Sequence, residues 1–146
     1  MENWVREPSV LQKFALHHET GEPIPTEYIE KITEKGNYDA GYMGLRQTSL
    51  GLIDMGWHGN TEPGTIDEVE DKVHALTSFF PERKASMSQR FGHLFAGGYS
   101  AGYYSYKWAE VLEADIFEEF KKNGLYDPET AKRLKETIYT KGGQVD

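Results

Sequence analysis

Apolar residues recur along most of the chain at intervals of three and four positions, the spacing of one face of an α-helix. No stretch alternates apolar and polar residues for long enough to indicate a sheet. The pattern predicts helices over about residues 8–17, 25–36, 38–58, 65–80, 102–122 and 128–140. The expected fold class is therefore all-α, and without a repeat or linker residues 1–146 are predicted to form a single all-α unit.

Capping residues mark the predicted helix ends. Thr65 and Glu68 have the spacing of a capping box, in which each side chain satisfies an amide at the helix start. Asp127 before Pro128 predicts the start of the last helix. The helix predicted over 38–58 carries three glycines, Gly41, Gly44 and Gly51. They weaken the helix as an isolated element. We interpret them as positions that permit close packing of a neighbouring helix.

Composition and charge exclude several classes of function. The formal net charge is −8, whereas duplex binding draws on a surplus of Lys and Arg, so no nucleic-acid partner is expected. No apolar run approaches membrane-spanning length, so no membrane partner is expected. The opening residues are polar and do not form a signal peptide, and the chain contains no cysteine. These features together favour a cytoplasmic location.

One segment, residues 93–106, combines three glycines with four tyrosines and a histidine. Gly97 and Gly98 give the backbone freedom to bend or to approach a ligand closely. A helix that starts near residue 102 places Tyr103 and Tyr106 on one face. Tyr104 shares another face with Trp108, so one face is expected to line a cleft and the other to enter the core.

Two interpretations of this segment remain open from the residues alone. His93, Tyr103 and Tyr106 have the chemistry to donate hydrogen bonds to a substrate carbonyl or a developing oxyanion. Alternatively, the aromatic residues pack in the core after a flexible loop, and spacing alone favours packing because aromatic stripes usually mark it. Phosphate binding is less consistent, since Gly97-Gly98 lacks the preceding strand and the Lys of a phosphate-binding loop.

The histidines do not form a metal-binding motif. A zinc peptidase helix needs two His four residues apart, with a Glu after the first. His17-His18-Glu19 has no His at position 21 or 22, and His58 and His74 stand alone and are interpreted as surface or packing residues. The chain is therefore predicted to bind no metal, and it also lacks the GxSxG pattern of a serine nucleophile.

Several motifs in a fixed order resemble the thimet oligopeptidase family of zinc metallopeptidases. The resemblance covers nearly the whole chain, and its most specific part is the stretch from FGH at 91–93 to YKWAEV at 106–111. The remaining matches are ENWV at 2–5, HHETGEPIP at 17–25, LRQ at 45–47 and the glycine pair at 142–143.

The resemblance implies a multi-helix C-terminal lobe of a zincin-type oligopeptidase. In that family two His of an HExxH helix and a downstream Glu bind the zinc, and all three precede the position that residue 1 matches. The chain is therefore expected to be a C-terminal fragment of a larger peptidase catalytic domain. The parent enzyme would use zinc to hydrolyse internal or near-terminal bonds of short peptides, and the fragment alone is expected to bind no zinc and to be inactive.

The resemblance also implies roles for individual residues. Tyr106 matches a tyrosine associated with oxyanion stabilisation, and His93 matches a histidine that contacts the substrate backbone, which makes both catalytic candidates. Four residues match a mobile substrate-binding loop: Tyr99, Tyr103, Gly97 and Gly98.

The alternative function is a non-catalytic helical module that binds peptides or a partner helix. The expected partners of the peptidase fragment are short peptide substrates and the missing N-terminal part of the same enzyme. A homodimer is also expected, through apolar surface exposed on the helix around Trp108 or on the one around Leu50.

Overall fold

The computed structural model describes residues 2–59 and 61–144, which are predominantly helical and contain no β-strand. The α-helices among them, in chain order, are α1 (Pro8–Phe14), α2 (Thr26–Asn37), α3 (Ala40–His58), α4 (Ile66–Thr77), α5 (Ser105–Asn123) and α6 (Pro128–Leu134). Short 3₁₀ turns lie at Trp4–Arg6, Gly92–Leu94 and Gly142–Gln144, and a π turn extends α6 over Lys135–Tyr139. The predicted all-α fold class is confirmed.

The capping chemistry predicted from the sequence is present at both helix starts. The Glu68 amide donates to Thr65 Oγ1 over 3.2 Å, and the Thr65 amide donates to Glu68 Oε2 over 2.7 Å. At the start of α6 the Thr130 amide donates to Asp127 Oδ2 over 2.7 Å. These bonds satisfy amides that have no partner inside the helix, so they fix where α4 and α6 begin.

Helix α4 ends at Thr77, three residues before the predicted end, and helices α1 and α5 are also shorter than the apolar pattern predicts. Helix α1 ends at Phe14, because the next residues leave the helical conformation and Leu16 forms an antiparallel bridge with Pro23. Helix α5 begins at Ser105, because residues 101–104 form turns and Ala101 has a positive φ of 58°. In both cases local turn hydrogen bonds replace the helical ones.

The described residues form two compact units. One comprises residues within 1–38 and 111–146, and the other comprises residues 39–110. Helix α5 contributes residues to both. The prediction of one all-α unit over 1–146 stays a prediction.

The first unit is organised around Trp4. Its ring packs edge-on against Phe117 and Phe120, with centroid distances of 4.7 and 4.9 Å. The indole N–H donates to the carbonyl oxygen of Leu125 over 2.8 Å. This ring therefore joins an apolar contact with a satisfied polar group, as buried indoles require. Ile29 of α2 is almost fully buried in the same unit.

The second unit is built from α3, α4 and the segment that follows α4. Ile53, Val73 and Leu94 form its buried apolar cluster. A Cβ added at Gly56 of α3 would lie 2.8 Å from Val69 Cγ1 of α4, so α3 and α4 approach closely at this glycine. The predicted close-packing role therefore falls on Gly56, since nothing lies within 4 Å of a Cβ built at Gly41 or Gly44.

Gly51 differs from the other two predicted glycines. A Cβ built there would meet Tyr104, with distances of 3.7–3.9 Å to its N, Cα and Cβ atoms. The neighbour of Gly51 is thus the loop before α5 rather than another helix. These distances are ordinary van der Waals contacts, so the loop lies directly on α3 at this position.

Glu70 of α4 holds the segment after that helix. The side chain is 2% exposed, and its oxygens accept the amides of Met87 and Ser88 over 3.0 and 2.7 Å. The Ser86 hydroxyl donates to Glu70 over 2.8 Å, and Arg83 pairs with it at 3.1 Å. A buried carboxylate with this many donors fixes the path of residues 86–88.

The apolar side predicted for α5 is only partly buried. Phe117 and Phe120 are buried, whereas Trp108, Val111 and Leu112 remain 62%, 59% and 61% exposed. Residues 105–115 of α5 therefore include no buried apolar side chain. The sequence pattern gives the same apolar character to both halves of the helix and does not distinguish them.

Candidate functional site

The loop from residue 91 to residue 104 requires unusual backbone conformations. Gly97 and Gly98 both have φ near +80°, a region that residues with a Cβ rarely adopt. Leu94 is fully buried, and its carbonyl oxygen accepts the Ser100 hydroxyl over 2.9 Å. The loop is thus tied to the core at Leu94 and turns back through the two glycines.

This loop and the first turn of α5 bring aromatic side chains together. The Tyr99 ring stacks on the Tyr106 ring at 5.8 Å between centroids, and Tyr103 lies 5.1 Å from Tyr106. The His93 ring lies 4.9 Å from Tyr99 and stacks on Phe91 at 5.1 Å. We call these five residues the aromatic cluster: Phe91, His93, Tyr99, Tyr103 and Tyr106.

Members of the aromatic cluster differ in exposure. Tyr103 is buried, with 9% of its surface exposed. Its ring packs edge-on against the Phe91 ring, with 5.0 Å between the ring centroids. Tyr106 is 40% exposed, and His93 is also exposed. Tyr103 therefore anchors the cluster, while Tyr106 and His93 present polar atoms to solvent or to a ligand.

The hydroxyl of Tyr106 stays protonated over a wide pH range. A side-chain hydrogen bond with Tyr99 raises the pKa of Tyr106 above its ordinary value, and desolvation adds to this effect. A phenol with a raised pKa remains neutral at pH 7 and keeps its proton for donation. This state is the one needed to hydrogen-bond a carbonyl oxygen.

All six residues predicted to form the site lie in this loop and in the first turn of α5, and the structure brings their four side chains together. The expectation that Tyr104 and Trp108 would point into the core is wrong, because they are 51% and 62% exposed. Tyr104 makes no ring contact with the aromatic cluster among the described residues.

Asp54 of α3 is a neighbour of the loop that the sequence interpretation missed. Its carboxylate is fully buried and accepts the amides of Ala101 and Tyr103. His58, interpreted from the sequence as a surface or packing residue, places Nδ1 2.9 Å from Asp54 Oδ1. The spacing of four residues between a carboxylate and a histidine on one helix was the available signal.

The described part of the chain shows neither a metal-binding group of side chains nor a membrane-spanning helix. Among residues 2–59 and 61–144, no group of three or more potential ligands is arranged to bind a metal ion. Within the same ranges, no helix combines the length and the apolar character that crossing a bilayer needs.

Comparison with known proteins places the chain among the peptidases. The sequence model of Peptidase family M3 matches residues 1–146, so the chain belongs to this family. Oligopeptidase A of Escherichia coli strain K12 is 40% identical over 147 residues, which cover 98% of this chain and 22% of the relative. A probable cytosolic oligopeptidase A of Arabidopsis thaliana is 41% identical over 98% of this chain and 22% of its own length.

The dipeptidyl carboxypeptidase of Escherichia coli strain K12 is 31% identical over 99% of this chain and 22% of its own length. The chain therefore spans about a fifth of the length of the curated relatives it matches. The predicted resemblance to the oligopeptidase family is confirmed by these matches.

Proposed function

We propose that this chain is the C-terminal, substrate-binding part of a zinc-dependent oligopeptidase that hydrolyses short peptides. Membership of Peptidase family M3 supports the reaction class. The relatives include both oligopeptidases and dipeptidyl carboxypeptidases, so the proposal covers cleavage of internal and of near-terminal bonds. In the same proposal the partner is the N-terminal part of the enzyme, and the enzyme acts in the cytoplasm.

The observation that supports this proposal most directly is the aromatic cluster. Its exposed members offer a phenol and an imidazole on one side of a glycine-containing loop. Extended peptides present a carbonyl oxygen at every residue, and such oxygens accept hydrogen bonds from neutral phenols. The cluster is thus suited to bind a peptide backbone.

Four members of the aromatic cluster have separate tasks in the proposal. Tyr106 donates its proton to the carbonyl oxygen as negative charge develops on it in the transition state. His93 donates to the same region of the substrate backbone. Tyr99 orients the Tyr106 ring by stacking on it, and buried Tyr103 fixes the ring positions.

Gly97 and Gly98 complete the substrate-binding part of the proposal. Their positive φ angles let the loop reverse without a Cβ beside the Tyr99 ring, which lies 3.3 Å from a Cβ built at Gly97. We propose that this segment lies against the bound peptide.

Zinc belongs to the proposed whole enzyme and not to this chain. The described residues offer no ligand set for it, so the proposed residue roles do not depend on a metal held here. We propose that the metal ligands belong to the N-terminal part.

A chimeric enzyme tests the proposal. Residues 1–146 replace the aligned stretch of Escherichia coli oligopeptidase A, and turnover is measured with a short quenched fluorescent peptide. Tyr106→Phe keeps the ring and removes the proton, so kcat should fall by about two to three powers of ten. KM should change less, because the lost bond strengthens only in the transition state.

Tyr104→Phe is the matched control, since Tyr104 is a neighbouring exposed tyrosine outside the aromatic cluster. Its kcat should stay within about twofold of the parent chimera. Near-normal kcat in a folded Tyr106→Phe chimera would refute the oxyanion role. A chimera that melts cooperatively but hydrolyses no peptide would refute the proposed function of the chain.

A further inference from the structure

A buried carboxylate lies in the middle of α3, beneath the loop that carries the tyrosines. Asp54 is 0% exposed and lies next to Ile53 of the apolar cluster. An ionised carboxylate that is removed from water must be compensated by hydrogen-bond donors. The identity of those donors shows what the carboxylate does.

Two of the donors are backbone amides of the loop. The Ala101 amide donates to Asp54 Oδ1 over 2.9 Å, and the Tyr103 amide donates to Asp54 Oδ2 over 3.0 Å. Asp54 is separated in sequence from Ala101 by 47 residues and from Tyr103 by 49 residues. Each carboxylate oxygen thus binds a different amide, so both oxygens are needed to hold the loop.

His58 provides a further donor from within α3. Its Nδ1 lies 2.9 Å from both the carbonyl oxygen and Oδ1 of Asp54. Both of these oxygens can only accept, so Nδ1 carries the hydrogen. This bond fixes the rotamer of Asp54 and leaves its two oxygens directed at the loop.

The bonds to Asp54 continue directly into the aromatic cluster. The Tyr106 amide donates to the Tyr103 carbonyl oxygen over 3.3 Å. The Ser105 amide donates to the Gly102 carbonyl oxygen over 3.0 Å. The turn held by Asp54 is therefore the turn from which α5 starts. Its position determines where the rings of Tyr103 and Tyr106 lie.

We propose that Asp54 is the positioning residue of the peptide-binding loop, because its carboxylate holds the Ala101 and Tyr103 amides and so aligns Tyr103 and Tyr106 with the substrate. This inference rests on the proposed function of the aromatic cluster. Asp54 is thus an additional residue of the proposed site. It touches no substrate and acts through the backbone of residues 101–103.

Glu70 provides a matched control. It is also a buried carboxylate of the second unit, and it also accepts two loop amides, those of Met87 and Ser88. The segment that it holds contains no tyrosine, and it reaches the aromatic cluster only at Phe91, whose amide donates to the Met87 carbonyl oxygen over 2.9 Å. Asp54→Asn and Glu70→Gln each keep the size of the side chain and replace one acceptor oxygen by an NH₂ group. Both should lower stability, and only Asp54→Asn should disturb the tyrosines.

The first measurement is amide hydrogen exchange of the 1–146 chain, read residue by residue by NMR. In the unaltered chain the Ala101 and Tyr103 amides should exchange slowly. The amides of residues 98–100 should exchange fast, since they donate to no described residue. Unprotected Ala101 and Tyr103 amides would refute the inference even if no Asp54 variant folds.

Asp54→Asn should speed the exchange of at least one of these two amides by about ten- to a hundredfold, as expected for a lost bond to a charged acceptor. Glu70→Gln should leave both unchanged and should speed exchange at Met87 and Ser88. Equal effects of the two variants on the Ala101 and Tyr103 amides would refute a specific positioning role.

The second measurement uses the chimera with oligopeptidase A. Asp54→Asn should lower kcat by about ten- to a hundredfold with a smaller change in KM, because misplaced catalytic donors cost turnover. Glu70→Gln should keep kcat within about twofold. If Tyr106→Phe lowers kcat and folded Asp54→Asn does not, the positioning role is wrong and the proposed function stands. If Tyr106→Phe has no effect, the proposed oxyanion role of Tyr106 fails, whereas the hold of Asp54 on the loop amides is tested separately by hydrogen exchange.

Discussion

Ala101 is the residue whose conformation is least compatible with its side chain. It adopts φ of 58°, a left-handed conformation that costs a residue with a Cβ about 1 kcal/mol. Asp39, the other non-glycine residue with positive φ in the described ranges, belongs to a residue type that tolerates this region better. The hydrogen bond from the Ala101 amide to Asp54 offsets the strain and keeps the turn in place.

Replacing Ala101 by glycine should therefore stabilise the chain. Glycine adopts positive φ without steric cost, so we expect the free energy of unfolding to rise by about 0.5 to 1 kcal/mol. Ala101→Val should lower it by more than 1 kcal/mol, because a β-branched residue resists this conformation further. Urea unfolding monitored by circular dichroism measures both. A glycine variant less stable than the parent would contradict the assigned strain.

At the scale of single elements, α4 shows how a buried carboxylate fixes a following segment. Burial by itself would raise the pKa of Glu70, but hydrogen bonds from Ser88, Met87 and Ser86 together lower it below its ordinary value of 4.5. A group whose folded pKa is depressed stabilises the fold above its unfolded pKa. That stabilisation is lost as pH falls through the folded pKa.

Glu70→Gln should therefore change the pH dependence of stability on the acid side. At pH 7 the variant should be less stable by about 2 kcal/mol, since it loses bonds to a charged acceptor. The difference from the parent should shrink as pH falls from about 4.5 through the lower pKa of folded Glu70, because protonation then removes the charge that the hydrogen bonds stabilise. Urea unfolding at several pH values from 7 to 3 measures this difference in the free energy of unfolding. Glu34→Gln, at an exposed position of α2, is the control. A difference that stays constant with pH would contradict the assigned role of the charge.

On the scale of the whole molecule, the outstanding feature is apolar surface on α5. Trp108, Val111 and Leu112 have the spacing of one helix face and are all exposed. Exposed apolar patches of this kind mark interaction surfaces. A homodimer through apolar surface around Trp108 was expected from the sequence, and the exposure of these three residues makes them candidates for that contact.

We expect the isolated chain to self-associate through this face. Light scattering at high protein concentration should show dimers or larger species. Leu112→Glu should shift the population towards monomer by placing a charge in the contact. Lys132→Glu is the control, because it changes the charge at an exposed position of a different helix, α6. A chain that stays monomeric at high concentration would refute the predicted homodimer.

The isolated chain should also bind zinc only weakly. The described residues contain no group of three ligands, and tight zinc sites need three or four. Elemental analysis after dialysis against zinc-containing buffer should give well below one zinc per chain. Stoichiometric zinc that survives dialysis would contradict the prediction.

The sequence predicted much of the local structure correctly because the responsible interactions lie within a few residues. Thr65 and Glu68 are three residues apart, and their reciprocal bonds form as expected. The loop of residues 93–106 was singled out because its glycines and tyrosines are adjacent in sequence. Motifs shared with the oligopeptidase family were recognised for the same reason, since they are local strings of residues.

The tertiary structure decided which side chains are buried and which distant groups meet. Asp54 cannot be paired with the Ala101 and Tyr103 amides by inspection of the sequence, because 47 and 49 residues separate them. The sequence likewise gives α5 one apolar stripe, yet only the part that packs with Trp4 is buried. Helix propensity and capping depend on near neighbours, whereas burial depends on which remote elements pack against a surface. For this reason the helices and the tyrosine loop were determined by the sequence itself, and the carboxylate that holds the loop was revealed only by the folded chain.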